Sequence, residues 1–244
     1  MNIFVTSSDP WQSARVLPDK HIVKMPLETC QMLSIVCSDK WGHGFGTLPK
    51  ADGTPYSTEK GAFRNHPCTI WANEYVMNWQ WLLAHGFALC SEYAARYGKV
   101  HTCFTTLNAA KEILPTGDPT GRSGKETTPF VFAGPDEFKY DTTVDIYTKY
   151  KMYVASKPWV KDNYLRLPHR KPEWVWMKEQ LSSGTNIIFY IRCENKVDKD
   201  GEYKHYEMKS MKLGEIWLWT IAFALNGILD GFQKLLMKKI LLSI

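Results

Sequence analysis

The sequence predicts a mainly α-helical protein: a compact helical domain that begins with a short strand, followed by a C-terminal α+β extension that contains a β-hairpin. Apolar residues recur at helical spacing through most of the first 176 residues. After residue 176, two strand-like runs flank the turn pair Asp200-Gly201. The 244 residues, 44% of them hydrophobic, are enough for a sizeable core. We therefore expect one domain at residues 1–176 and a second at 177–244.

The expected elements follow from local patterns taken in order. Residues 2–5 predict a strand, and turn residues end it. Helical patterns then cover residues 11–16, 19–33 with apolar positions continuing to 37, 63–97, 102–114 and 142–157, and another element begins at 136–140. Glycine and proline mark loop-rich segments at 39–65 and 115–128. The second loop contains a Gly-Lys pair, but we reject a phosphate-binding loop because the required earlier glycine is missing and no strand precedes it.

Composition limits the partners and the chemistry. The net charge of +5 and the 33 aromatic residues (10 Trp, 12 Tyr and 11 Phe) are compatible with nucleic acid. Six cysteines without CxxC spacing predict free thiols in a reducing compartment, with no disulfide framework and no metal site. No secretory signal is visible, and Asp230 interrupts the apolar run at 216–229, so we expect a cytoplasmic protein without a membrane span.

One narrow polar stripe stands out in the second helical pattern. At 100° per residue His21, Lys24, Glu28 and Gln31 share one arc, while most of the remaining circumference is apolar or small. This pattern predicts a mostly buried helix whose polar stripe opens on a cleft. Glu28 can pair with Lys24 one turn earlier and with His21 two turns earlier.

Two interpretations of the stripe stay open at this point. It is either a structural ion pair beside a buried histidine, or a catalytic carboxylate whose charge Lys24 and His21 hold. Pro26 lies inside the pattern, so the helix either kinks there or begins there.

Both ends of the long pattern at 63–97 are candidate anion sites. Pro67 suits the first turn of a helix, which makes Asn65 or His66 the N-cap. Free backbone N–H groups at such an end attract phosphate, and Arg64 stands beside them. A basic and aromatic segment later in the chain, at residues 159–174, could also lie along a nucleic-acid backbone. Three further basic residues lie at the C-terminal end of the long pattern: Arg96, Lys99 and His101.

A family resemblance rests on these motifs. The spacing Asp19-x-His21-x₆-Glu28, followed by a helix entered through His66, resembles the phage pyrimidine-dimer DNA glycosylases of the endonuclease V type. The resemblance extends over about residues 1–110, and uncharacterised phage proteins that begin in the same way are similar too. It implies a compact helical fold that kinks double-stranded DNA and flips a base out of the stack.

The resemblance also implies a chemistry. In the family, the amine of the chain's N-terminus attacks C1′ of the damaged nucleotide and forms a Schiff base before strand cleavage. Carried over to this sequence, the amine is that of Met1, the carboxylate is Glu28 and its neighbour is His21. Lys24 or Lys20 could supply the amine instead, or Glu28 could activate a water molecule.

The function predicted from the sequence is a DNA N-glycosylase with abasic-site lyase activity, acting on a damaged or modified pyrimidine without a cofactor or metal. A non-catalytic nucleic-acid-binding or phage–host interaction protein and a nucleotide-processing enzyme are the alternatives. The extension at 177–244 is the expected surface for a protein partner or a dimer, and infected-cell cytoplasm is the expected location. The expected catalytic residues are Glu28, His21, Lys24, Asp19 and Met1, and the expected DNA contacts are Arg64, Asn65, His66, Arg96, Lys99 and His101.

Overall fold

A computed structural model describes residues 1–56, 61–115 and 126–175, and this part of the chain is mainly helical, as predicted. The predicted hairpin and the rest of residues 177–244 lie outside it, so the domain boundary stays a prediction. The α-helices used below are α1 (Pro10–Arg15), α2 (Asp19–Cys37), α3 (Pro67–Glu74), α4 (Val76–Tyr97), α5 (Cys103–Ile113), α6 (Asp136–Lys139) and α7 (Ile146–Ala155). Two 3₁₀ turns, Val160–Asp162 and Pro168–Arg170, follow α7.

The predicted N-terminal strand is wrong. Residues 2–5 are buried, but the described part of the chain contains no neighbouring strand with which they pair. The side-chain Oδ1 of Asn2 instead accepts hydrogen bonds from the backbone N–H groups of Ile3 (2.8 Å) and Phe4 (3.0 Å). Phe4 has a φ of 39°, which takes the backbone out of the extended region. The apolar run therefore reflects burial within a helical domain, with its polar groups satisfied locally.

Helix α2 begins at Asp19 and continues through Pro26 to Cys37, so the alternative of a helix that begins at Pro26 is wrong. Most of its side chains are buried, as the apolar circumference predicted. It packs against α3, α4 and α5, which surround it in the core. A buried helix of this kind can hold a polar side chain in one fixed orientation.

The predicted helix at 63–97 is two helices. Tyr75 has extended backbone angles (φ −150°, ψ 146°) and separates α3 from α4. Of the two predicted N-caps, His66 is the one observed, with Pro67 in the first turn. Gly98 ends α4 in the left-handed conformation at φ 65°, as its glycine suits.

Close packing of α4 depends on Gly86. A Cβ atom there would lie 2.8 Å from Cγ2 of Thr29 on α2 and 2.8 Å from Cδ2 of Leu107 on α5. The absence of a side chain thus lets three helices approach one another. Helix α7 starts at residue 146 and not at 142, because Asp145 caps it by accepting hydrogen bonds from Tyr147 and Thr148.

Candidate active site

Three nitrogen atoms surround the carboxylate of Glu28 on α2. Lys24 Nζ lies 3.1 Å from Oε1, and the backbone N–H of Asn2 donates to Oε2 at 2.8 Å. The α-amine nitrogen of Met1 lies 3.9 Å from the same Oε2. Only 10% of the Glu28 side chain is exposed, so these positive and N–H groups compensate a largely desolvated charge. The fold thus brings together three of the predicted residues: Met1, Lys24 and Glu28.

The N-terminal segment is held firmly beside Glu28. The Met1 side chain is only 2% exposed, whereas the residue as a whole is partly exposed. The exposed atoms of Met1 are therefore those of its backbone. The Asn2 side-chain amide donates a hydrogen bond to the carbonyl of Ala133. The Lys24 side chain differs from the α-amine in being 70% exposed. Two amines in different surroundings therefore share one carboxylate.

His21 lies near the site but is not an ion-pair partner of Glu28. Its ring stacks on Phe4 at a centroid distance of 4.2 Å and contacts the edge of Trp159 at 5.6 Å. Burial, followed by the positive charges of Lys157 and Lys24, lowers the pKa of His21 to about 3. The imidazole is therefore neutral near pH 7, and the Met1 amine and Asn2 amide occupy the side of Glu28 that the sequence suggested for His21.

Asp19 and Arg96 belong to a different cluster. Arg96 has a side chain that is 0% exposed, and its Nη1 donates to Asp19 Oδ1 at 3.0 Å. The second carboxylate oxygen of Asp19 accepts hydrogen bonds from the backbone of Leu165 and Arg166. Arg96 also bonds Glu92 and two backbone carbonyl groups near the end of α1. The side chains of Asp19 and Arg96 are thus engaged with each other and with the backbone inside this cluster.

His66 is the observed N-cap of α3. Its Nδ1 accepts a hydrogen bond from the backbone of Cys68 at 3.2 Å. Burial and then the positive charge of the N-terminal amine lower the pKa of His66, while the charge of Glu28 acts in the opposite direction. Asn65 and Arg64 are exposed there, and the Arg64 guanidinium lies over the Trp41 ring at 4.4 Å.

The C-terminal end of α4 offers fewer phosphate contacts than the sequence suggested. Lys99 is exposed immediately after the helix. His101 is half-buried: its Nε2 lies 3.1 Å from the carbonyl oxygen of Val23, and its Nδ1 accepts a hydrogen bond from the backbone of Cys103. His101 therefore links the start of α5 to α2, which leaves Lys99 as the exposed cation of the predicted three.

One family model matches part of the chain. It is described as pyrimidine dimer DNA glycosylase and covers residues 1–105, less than half of the 244 residues. The match confirms the resemblance to this family that the motifs around Asp19, His21 and Glu28 indicated. No curated protein and no solved structure matches the chain.

The matched region includes the carboxylate, the N-terminal amine, Lys24 and the start of α3, while α6 and α7 lie after it. Sequence reasoning did not identify the Asn2 amide or Lys157, because their places near α2 depend on contacts between distant parts of the chain. Over residues 1–56, 61–115 and 126–175, no three His, Cys, Asp or Glu side chains form a group able to hold a metal. In the same ranges, no helix has both the length and the apolar character needed to cross a membrane.

Proposed function

We propose that this protein is a DNA N-glycosylase with abasic-site lyase activity that removes a damaged or modified pyrimidine after the nucleotide is flipped out of the duplex. The observation that carries the proposal is the α-amine of Met1, 3.9 Å from a Glu28 carboxylate that is 10% exposed. A nucleophile beside a buried base is the arrangement that covalent catalysis requires. The family match at residues 1–105 supports the same reaction class.

In the proposed reaction, the Met1 nitrogen attacks C1′ of the flipped nucleotide and the glycosidic C–N bond breaks. The pyrimidine leaves with the bonding electron pair and takes up a proton. The ionised Glu28 carboxylate stabilises the cationic sugar while the glycosidic bond breaks, and it then takes the proton that the attached amine loses. That proton passes to O4′ as the C1′–O4′ bond breaks, which gives a protonated Schiff base between the nitrogen and C1′. Loss of a proton from C2′ and cleavage of the C3′–O bond then release the 3′ phosphate with the bonding electron pair and break the strand.

We prefer Met1 to Lys24 as the nucleophile because the two amines contact Glu28 differently. The α-amine of Met1 lies 3.9 Å from Oε2 of Glu28, beyond hydrogen-bond distance, so the carboxylate does not hold it in a direct contact. Lys24 is 70% exposed and its Nζ lies 3.1 Å from Glu28, in direct ion-pair contact. Lys24 then serves to hold the charge of the carboxylate, as the sequence pattern suggested.

The proposed DNA contacts are Arg64, Asn65, His66 and Lys99. The first three are at the N-terminal end of α3, where the exposed guanidinium of Arg64 and side-chain amide of Asn65 can donate hydrogen bonds to a phosphate. Lys99 is exposed at the end of α4. Arg96 and His101 are left out because the polar atoms of both are engaged within the protein.

Borohydride trapping tests the proposal. The chain is incubated with labelled duplexes that carry a thymine dimer, a modified pyrimidine or an abasic site, beside an N-terminally acetylated form and the Glu28→Gln and Lys24→Met variants. We expect a covalent adduct with the unmodified chain and with Lys24→Met, and none with the acetylated form or Glu28→Gln. Glu112→Gln, an exposed change on α5, is the matched control and should retain the adduct.

Each other result has a defined meaning. An adduct that survives acetylation but disappears in Lys24→Met would transfer the nucleophile to Lys24. Base release without any adduct would make Glu28 the activator of a water molecule and remove the lyase step. No adduct and no base release on any duplex would refute the proposal and favour the non-catalytic DNA-binding interpretation.

A further inference from the structure

Lys157 is a partly buried cation whose charge reaches His21, near the candidate active site. It follows α7, and its Nζ lies 4.0 Å from the ring centroid of Tyr153 and 5.7 Å from that of Phe4. No carboxylate forms a salt bridge with Lys157 within residues 1–56, 61–115 and 126–175. The ammonium group is thus oriented by aromatic faces and left available to an anion.

The surroundings of Lys157 connect it to the Glu28 site. Phe4 stacks on Tyr153 at 5.7 Å and on His21 at 4.2 Å, so a continuous group of rings links α7 to α2. His21 is one turn before Lys24, which is paired with Glu28. Phe4 is two residues after Asn2, whose N–H bonds the same carboxylate. Lys157 therefore faces the region where the N-terminal segment meets α2.

Positive charge dominates this region. Lys20 Nζ lies 4.7 Å from the ring centroid of Trp159, which also contacts His21. The charges of Lys157 and Lys24 both reach His21. Nδ1 of His21 is buried and has no hydrogen-bond partner, so the cluster also has a polar atom that is not satisfied by the protein. Such a surface favours an anionic ligand with oxygen atoms.

We infer that Lys157 binds a backbone phosphate of the DNA strand that enters the Glu28 site. The inference rests on the proposed function and deepens it, because DNA supplies the phosphate. Lys157 lies after residue 105, so this contact comes from a part of the chain that the family match does not cover. The cation–π contacts of the Lys157 ammonium with Tyr153 and Phe4 restrict the side chain before binding, which lowers the entropy that it loses on binding.

The salt dependence of DNA binding tests this inference. Every variant carries Glu28→Gln, so that binding is measured without turnover, on a duplex with a stable abasic-site analogue between 50 and 200 mM salt. Each phosphate contact adds about 0.9 to the slope of log K against log salt concentration. Lys157→Met keeps a long unbranched side chain and removes the charge. We expect it to reduce the slope by about one, whereas Lys157→Arg should retain the slope.

Lys151→Met is the matched control, because it removes the same charge from α7 at a position that faces Asp145. It should leave the slope unchanged. When the salt concentration rises fourfold, the affinity of the parent for the duplex should fall by a factor roughly 3.5 times larger than the factor for Lys157→Met. Thermal unfolding of the variants shows whether Lys157→Met retains the parent fold, and Lys157→Gln provides a second charge-removing variant if it does not.

An unchanged slope in both folded charge-removing variants would overturn the inference, and so would the same reduction of the slope in Lys151→Met. Failure of the proposed function is distinguishable, since it appears as missing base release and missing adduct in chains that still bind duplex. In that case a reduced slope in Lys157→Met would still support the phosphate contact. A parent chain without any duplex binding at 50 mM salt would refute the inference as well.

Discussion

The buried cluster around Arg96 predicts a large loss of stability from one substitution. Arg96→Met removes a guanidinium that is 0% exposed and that donates to Asp19, Glu92 and two backbone carbonyl groups. Breaking a buried ion pair by removing one partner costs about 3–5 kcal/mol, and each unpaired carbonyl adds about 1 kcal/mol. Asp19 keeps two backbone donors and Glu92 keeps Arg170 at 3.1 Å, which reduces the cost. We therefore expect a loss of about 4 kcal/mol.

Urea denaturation followed by circular dichroism measures this loss. Lys99→Met is the control, because Lys99 lies three residues later and is exposed, and its unfolding free energy should stay within about 0.5 kcal/mol of the parent. The effects of the two variants on the salt dependence of DNA binding should be the reverse of their effects on stability. Lys99→Met should reduce the salt dependence, while the folded fraction of Arg96→Met should retain it. A loss below about 1 kcal/mol in Arg96→Met, or a reduced salt dependence in its folded fraction, would refute the assignment of Arg96 as structural.

Three further changes test the core and the loops, each by urea denaturation. Burial lowers the pKa of His85 to about 3, so at a pH below about 6.5 only the unfolded chain binds a proton at this residue, and the free energy of unfolding decreases as the pH is lowered. His85→Phe should make this decrease smaller by about 1 kcal/mol per pH unit between pH 6 and 4. An unaltered slope would contradict the burial of a neutral imidazole. Gly86→Ala should lower the unfolding free energy by about 1–2 kcal/mol, since its Cβ would lie 2.8 Å from side-chain atoms of Thr29 and Leu107; equal stability would mean that the three helices can separate slightly. Phe63→Gly should raise it by about 1 kcal/mol, because Phe63 has a φ of 68° and a half-exposed side chain, and a loss of stability would show that the ring contributes more than the backbone strain costs.

The position of Glu28 relative to Lys24 shows what local sequence can determine. Residues four apart on a helix always lie on one face, so the apolar circumference of α2 was enough to predict both the helix and this ion pair. His66 as an N-cap before Pro67 is predictable for the same reason, because capping depends on neighbouring residues. The family resemblance also rests on short spacings within one region of the chain.

Tertiary structure decided the features that join distant segments. Met1 and Glu28 are separated by 27 positions and Phe4 and Tyr153 by 149, and no helical or strand period relates them. The same limit explains the wrong strand at residues 2–5, since an apolar run does not say whether a neighbouring strand or a set of helices will cover it.

Arg96 and Lys99 show where local sequence stops being sufficient. Both are basic residues at the C-terminal end of α4, and the sequence predicts the same phosphate-binding role for both. Arg96 is buried against Asp19 and Lys99 is exposed, because the direction in which α4 faces is set by the helices that pack on it. Helical period, capping and motif spacing are local and can be predicted from sequence, whereas the exposure of a charge and the approach of the chain's first residue to a carboxylate depend on packing.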